Sequence, residues 1–305
     1  MSTINTTYTE ANLPWGYKKG KEHCPQCGRR SFNLQTKNGK VIDELVGYCD
    51  HANSCGYIYR AADYFKRNPG LRFKAEQPTF TPPPARPPSF MDSSLLNTYR
   101  SNANSFVQFL LSAFPKETVY QTTEIYKLGA DKYGNVIFWQ IDKQGRCRGG
   151  KIVSYKPDGH RGTYINWMHS ALGLKNFNLA QVLFGEHLLS TDTQRPVCLV
   201  ESAKSAVIGS MVYPDYLWLS TEGAINWNIE KLSPLRQRQV VVIPDLWKRP
   251  PTGKKDWHSL VNVLRAMGID AHYWDKLEQI ATPEQREKGW DIADFLLETI
   301  IIKQP

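Results

Sequence analysis

Four of the six cysteines are spaced as metal ligands. Cys24-Pro-Gln-Cys27-Gly28 is followed, after a further 20 residues, by Cys49-Asp-His-Ala-Asn-Ser-Cys55-Gly56, while Cys147 and Cys198 stand alone. In a reducing compartment clustered cysteines bind metal more readily than they bridge one another. Four thiolates make a closed tetrahedral site, the arrangement of a structural Zn2+ with no open position for catalysis. Five residues separate the second pair, so His51 is an alternative fourth ligand in place of Cys49 or Cys55; reduced cysteines without metal are the remaining reading. Each pair ends in Cys-Gly, and a glycine there lets the chain turn back so that backbone N–H groups can face the thiolate. Asn38-Gly39, between the pairs, is a hairpin signal that folds the intervening strands back and brings the two knuckles together into a zinc ribbon.

A second set of residues able to do chemistry is acidic. Val197–Val200, Tyr216–Leu219 and Val240–Ile243 read as short buried strands, Ile269–Trp274 as a fourth, with helices expected over Glu201–Val212 and Asp256–Met267. Strands and helices alternating in this way predict a parallel, doubly wound, Rossmann-like sheet, whose ligands bind beyond the carboxyl ends of the strands. Glu201 and Asp245 stand at two such ends. Two carboxylates there can hold Mg2+ or Mn2+, or leave one as a general base beside the ion, as phosphoryl-transfer chemistry needs. Asp291 and Asp294, three apart near the C-terminus, either join that cluster or cap a helix. Lys204, in the helix after Glu201, either reaches a nucleotide phosphate or is a solvated helix lysine.

Ahead of this region, Ser93 onward is helical, with Phe106, Phe109, Leu110 and Phe114 on one apolar face. Asn135–Asp142 and Arg146–Tyr155 then read as a β-hairpin continuing to Tyr164. Arg146, Arg148 and Lys151 surround two glycines that would allow close backbone approach to a ligand, which makes them candidate contacts to nucleotide or DNA phosphate. His169 and His187 are expected to be structural. Six prolines lie within Gln77–Pro88, as suits an extended spacer.

Charge is uneven. The chain carries 38 Lys and Arg against 29 Asp and Glu over 305 residues, a net +9, and residues 1–75 alone hold twelve basic against six acidic residues. Lys18, Lys19, Lys21, Arg29 and Arg30 flank the first knuckle, and Phe32, Tyr48, Tyr57 and Tyr59 are interleaved aromatics that either stack on unpaired bases or form a small core. A composition of 41% hydrophobic and 22% charged residues excludes a disordered tail or a small disulfide-stapled toxin. No apolar run is long enough to cross a membrane and the start is polar, so a cytoplasmic protein is expected.

Val200-Glu-Ser-Ala-Lys-Ser-Ala206, followed by Val-Val-Val-Ile-Pro-Asp245, resembles the Toprim domain of bacterial and phage DNA primases, topoisomerases and related nucleases. With a zinc ribbon ahead of it, the layout resembles a primase. It is also similar to an uncharacterised family carried by mobile elements of Bacteroides-type bacteria, through Phe138-Trp-Gln-Ile-Asp142, Phe184-Gly-Glu-His187 and Asp291-Ile-Ala-Asp294. Two positions depart from the Toprim pattern: Ser202 replaces the usual Gly, and Asp245-Leu246-Trp247 lacks the second acid of an Asp-x-Asp.

The expected architecture is therefore α/β: a zinc ribbon over 1–75, a Pro-rich linker over 76–92, an α+β subdomain over 93–190, and a Toprim-like domain over 191–305. The resemblance implies a primase-type nucleotidyltransferase that binds single-stranded DNA and nucleotides, with a helicase or relaxase partner. Glu201 would act as general base or metal-positioning acid and Asp245 as principal metal ligand. The missing acid favours an alternative, a catalytically degenerate DNA-binding accessory protein. A Toprim nuclease is a third reading.

Overall fold

The computed structural model describes residues 15–71, 86–224, 226–246 and 256–303, and most of the Pro-rich stretch lies outside them. The chain forms two compact units, Met1–Pro83 and Pro84–Pro305.

The first unit is a small antiparallel sheet. Its strands are β1 (Trp15–Tyr17), β2 (Glu22–His23), β3 (Arg30–Lys37), β4 (Lys40–Val41), β5 (Gly47–Cys49) and β6 (Ile58–Tyr59), with helices α1 (Ala52–Cys55) and α2 (Ala61–Arg67). The long β3 is central, bonded to β1 and β5, with β6 beyond β5. Asn38 (φ 51°) and Gly39 (φ 75°) form the two-residue hairpin turn that closes β3 onto β4, where two left-handed residues match the strand twist. Side chains alternate across the sheet, so Phe32 and its partner Cys49 point inward while the intervening Tyr48 points out. The core is small: Phe32, Leu34, Cys24 and Cys49, with Tyr57 edge-on to Phe32.

The second unit opens with α3 (Ser94–Thr98), α4 (Ser105–Ala113) and α5 (Lys116–Ile125). Asn104 caps α4, accepting from the Val107 N–H at 2.9 Å, and Phe106, Phe109 and Leu110 face the core. Phe114 lies past the end of the helix, in extended backbone. An antiparallel sheet follows, β7 (Gly129–Ala130), β8 (Val136–Ile141), β9 (Cys147–Tyr155) and β10 (Arg161–Trp167), in the order β10-β9-β8-β7. After the short α6 (Met168–Ala171) and α7 (Leu188–Thr191) come β11 (Val197–Val200), α8 (Ala203–Val212), β12 (Leu217–Ser220), α9 (Ile229–Leu232), β13 (Gln239–Val242), α10 (Trp257–Ala266), β14 (Asp270–Tyr273), α11 (Lys276–Ile280), α12 (Pro283–Lys288) and α13 (Ile292–Lys303).

The last four strands form a wholly parallel sheet in the order β12-β11-β13-β14. β11 and β12 are short, apolar and buried throughout, as parallel strands covered on both faces are, whereas β14 at the sheet edge exposes Asp270 and His272. The chain runs from β11 to β12 on one side and then crosses to β13 on the other, so the switch point lies between β11 and β13. One core joins residues of both sheets and includes Phe106, Phe138, Phe184, Leu199 and Leu219, and a second, smaller one gathers Met91, Ile137, Trp139, Ile152 and Met168 with Leu95 and Leu96 of α3 against it. The end of the Pro-rich stretch packs on the second unit: Ser89 N–H donates to Asn178 O at 3.0 Å, and Met91 N–H to Cys147 O at 2.9 Å.

Gly149 and Gly150 have a different use from the ligand approach expected of them. A Cβ at Gly150 would lie 2.7 Å from the Trp139 ring and 2.9 Å from Met168, and one at Gly149 2.9 Å from Leu179. These glycines make room for core side chains. Gly150→Val is expected to destabilise the second unit by about 1–3 kcal/mol through overpacking, read as a lowered midpoint of thermal unfolding; an unchanged midpoint would contradict that packing.

Candidate functional site

The cysteine site forms as the spacing demands. The sulfur atoms of Cys24, Cys27, Cys49 and Cys55 all lie within 4.8 Å of one another, a closed four-thiolate group suited to structural Zn2+. Gly28 (φ 67°) and Gly56 (φ 77°) take the left-handed turns after each knuckle. Burial raises the Cys49 thiol, but hydrogen bonds from the Ser31 hydroxyl (3.3 Å) and the His51 N–H (3.3 Å) outweigh it and bring the pKa down to about 6. His51 itself is exposed, its Nδ1 4.0 Å from Cys49 Sγ, beside the four thiolates and not in place of one.

The outer face of the ribbon sheet was only partly legible. Phe32 and Tyr57 belong to the core, whereas Tyr48 is exposed and meets Tyr17 edge-on at 5.3 Å. Trp15 shares the face of Tyr17 two residues on, and Ile58 lies opposite Tyr48. Trp15, Tyr17, Tyr48 and Ile58 are 46%, 54%, 36% and 44% exposed, a contiguous apolar strip. Cations border it: Lys37 Nζ stands 4.9 Å over the Trp15 ring, and Lys21 bonds Asn33, the register partner of Tyr48, and Asp50. Trp15 and Tyr17 were not among the aromatics expected at this face; their alternation across Gly16 was the available signal.

At the other end of the chain, Glu201 and Asp245 sit past β11 and β13, the two strands that flank the switch point, close enough to act on one another electrostatically. Among the described residues, Asp245 Oδ1 is buried without a hydrogen-bond partner. Burial, with Asp291 and Glu201 close by, drives the Asp245 carboxyl well above the ordinary range. Burial also raises Glu201, against an N–H bond from Ala224. The Leu246 N–H donates to Trp290 O at 2.8 Å, which ties the end of this strand to the start of α13.

Asp291 precedes that helix and Asp294 lies in its first turn, and they cap it reciprocally. The Asp294 N–H donates to Asp291 Oδ1 and the Asp291 N–H to Asp294 Oδ2, both at 3.0 Å, the geometry of a capping box. Ser205 Oγ donates to Asp291 Oδ2 at 3.0 Å. Lys204 Nζ lies 2.9 Å from Asp294 and 3.5 Å from Asp291; burial works against its charge, but these carboxylates outweigh it and raise its pKa. Lys204 is thus held by the acidic group.

The hairpin cations divide. Arg146 (2.8 Å) and Arg148 (3.6 Å) gather on the buried Asp142 beneath the Phe90 ring, while Lys151 pairs with Glu222 at 2.8 Å. Glu222 also accepts from the Ala203 N–H (2.8 Å) and Ser220 Oγ (2.9 Å). It too stands past the end of a parallel strand, so the rule that selected Glu201 would have found it. Arg161 acts electrostatically on Glu201 and on Tyr155, a further cation near the acids. His187 Nε2 donates to Ile125 O at 3.0 Å and His169 stacks on Phe177, as structural histidines do.

Fold and site define an α/β protein with a zinc ribbon and a buried acidic group at a parallel-sheet switch point. A family model described as a zinc beta-ribbon finger matches residues 13–70, and one described as a domain of unknown function, DUF6371, matches residues 104–246. No curated protein matches. Among solved structures the chain is similar to the Escherichia coli primase catalytic core, at 14% identity and TM-score 0.43, covering 69% of this chain and 83% of that one. It is similar also to the primase fragment of the bacteriophage T7 primase-helicase protein, at 12% identity and TM-score 0.42, covering 95% and 99%. A third is the Aquifex aeolicus primase fragment of zinc-binding and RNA polymerase domains, at 10% identity and TM-score 0.36, covering 93% and 80%. Among the described residues no helix is long and apolar enough to cross a membrane.

Proposed function

We propose that this chain is a primase-like protein of a mobile element. The outer face of the ribbon holds unpaired template DNA, and the acidic group beyond β11 and β13 takes Mg2+ or Mn2+ to assist nucleotidyl transfer. The observation that carries the reading is Asp245 Oδ1, a buried carboxylate oxygen with no donor, beside Glu201 where parallel sheets place their ligands. An oxygen-only site with an unspent acceptor fits a hard divalent cation. Asp245 would be the principal ligand and Glu201 the positioning acid or base. Bound there, the ion would supply charge stabilisation to the transferring phosphoryl group. Lys204 orients Asp291 and Asp294 by its two ion pairs. Lys151 holds Glu222 against the start of α8. The mobile-element setting and a helicase or relaxase partner rest on the family resemblance. The direct test is incorporation of labelled NTPs on single-stranded DNA with either ion; absence of product with both overturns the enzymatic reading.

A DNA-binding accessory protein without catalysis is favoured by one observation. Among the described residues only the cysteines bring three or more ligand atoms within 4.8 Å, and Lys204 already neutralises two of the acids. Under that reading Asp245→Asn leaves DNA binding and function unchanged, and degradation of a labelled strand would indicate a nuclease instead.

The ribbon face gives its own prediction. Replacing Trp15, Tyr17 or Tyr48 with Ala should each weaken single-stranded DNA binding by about 1–3 kcal/mol, the worth of one stacked base. Affinity should also fall steeply with salt as phosphate contacts are screened. Fluorescence anisotropy with a labelled oligonucleotide checks both, and wild-type affinity in all three variants would remove the platform.

A further inference from the structure

A cavity of about 490 Å³ opens in the second unit between the β8–β9 turn and the segment after β12. None of Glu201, Asp245, Asp291 or Asp294 lines it. Its volume falls within the range of about 300–1,000 Å³ typical of small-molecule sites.

The chemistry of its walls is a set of unspent donors. Arg148, 8% exposed, lines it, and its Nε is buried with no acceptor. Lys231, 5% exposed, gives one hydrogen bond, to Thr221 O at 2.9 Å. Burial brings its pKa down to about 8 although Glu222 and Glu186 oppose the shift. Three carboxylates also line it: Asp142 is engaged by the Gln144 and Arg146 N–H groups and the Arg146 side chain, Glu186 by the Lys143 and Leu183 N–H groups at 2.9 and 3.3 Å, and Glu230 is exposed. Gln181 Oε1 accepts from Asn226 (2.8 Å) and Gln140 (3.3 Å), leaving its amide nitrogen to donate elsewhere. A buried donor without an acceptor is destabilising. A guanidinium and an ammonium with spare N–H groups in one polar cavity are the donor set that phosphate oxygens satisfy.

We propose that this cavity binds a phosphate-bearing small molecule of nucleotide size, its phosphate on Arg148 and Lys231, at a site separate from the acidic group. The binding does not depend on the function proposed above, but its consequence does. Asn226 Nδ2 donates to Thr221 O (3.2 Å) and Glu222 O (3.4 Å), and Lys231 to Thr221 O. The same segment presents Glu222 to the Ala203 N–H and holds the Glu201 backbone, the Gly223 N–H donating to Glu201 O at 3.1 Å. A ligand that draws on Lys231 therefore acts on the loop that positions Glu201, as an effector would.

The test is calorimetric titration of the full chain with ATP, inorganic triphosphate and a short DNA strand, in EDTA so that no metal-nucleotide complex can form. ATP should bind, with affinity falling about tenfold or more in Lys231→Met, the loss of one charge-assisted contact. Ala180→Phe, which fills the cavity from a half-buried wall position and leaves every charged residue in place, should block binding while the protein still melts cooperatively. Asp245→Asn should bind as the unmodified chain does. Triphosphate binding as tightly as ATP would assign recognition to the phosphates, and tighter ATP binding would add the base; both support the site. No ATP binding, equal binding in Lys231→Met and Ala180→Phe, or displacement of ATP by the DNA strand overturns it. Loss confined to Asp245→Asn would place the nucleotide at the acidic group, overturning this site and leaving the proposed function standing.

Discussion

Glu201→Gln and Asp245→Asn are each expected to reduce primer synthesis by about a hundredfold or more, the scale of losing one group that stabilises the transition state, while the chain still folds. The two readouts together distinguish a functional acid from a structural one. Asp245 is buried, its Oδ1 has no donor, and Asp291 and Glu201 stand near it. A carboxyl in such a place is held against desolvation and like charge, so an isosteric amide should leave the melting temperature level or raise it. A structural role predicts the reverse, a lowered melting temperature with residual activity. If the unmodified chain makes no primer but binds DNA, and Asp245→Asn binds equally well, the accessory reading replaces the enzymatic one. Lys204→Met sharpens the choice. It leaves Asp291 and Asp294 without their cation, so divalent-ion affinity measured by calorimetry should rise if the acids are a metal site, and stay unmeasurable if they serve only to cap α13.

Much of this arrangement was legible because local rules govern it. Short apolar strands alternating with capped helices gave the parallel sheet, and the carboxyl ends of those strands located Glu201 and Asp245. Helix boundaries moved where a cap decided them: Ser202 accepts from the Ser205 N–H and Asp256 from the Ser259 N–H, so both helices start after their polar residue. Partnership across the fold was not legible. Nothing in the local sequence says that Lys204 reaches residues about ninety positions away, that Lys151 leaves Arg148 for Glu222, or that Gly150 accommodates Trp139 and Met168 and Gly149 accommodates Leu179. Those pairings are set by how the antiparallel and parallel sheets share one core, a tertiary matter that spacing does not encode. The outer face of the ribbon fell between the two cases. The alternation of Trp15 and Tyr17 is local, but which face of the sheet stays open depends on the zinc side claiming Phe32.

That dependence makes zinc removal the second large effect. The core of the ribbon unit amounts to Phe32, Leu34, Cys24 and Cys49 with three flanking side chains, far less apolar surface than a unit of this size needs to hold a fold unaided. The four thiolates supply the remainder. A structural Zn2+ contributes on the order of 10–16 kcal/mol to such a module at neutral pH, and that free energy is folding free energy. Chelation, or Cys49→Ala, should therefore unfold the ribbon as a whole: one zinc per chain lost by elemental analysis, β-sheet circular dichroism reduced, and the Tyr17–Tyr48 platform gone with it. The second unit has its own core, centred on Phe138, Phe184 and Leu199, and should keep its cooperative melt. Single-stranded DNA binding should drop further than in any single aromatic variant, because all the stacking positions are lost at once. A chain that holds no zinc when purified, or one whose ribbon stays folded in chelator, would show that the cysteines serve as small buried hydrophobes and that the sheet stands on Phe32 and Leu34 alone.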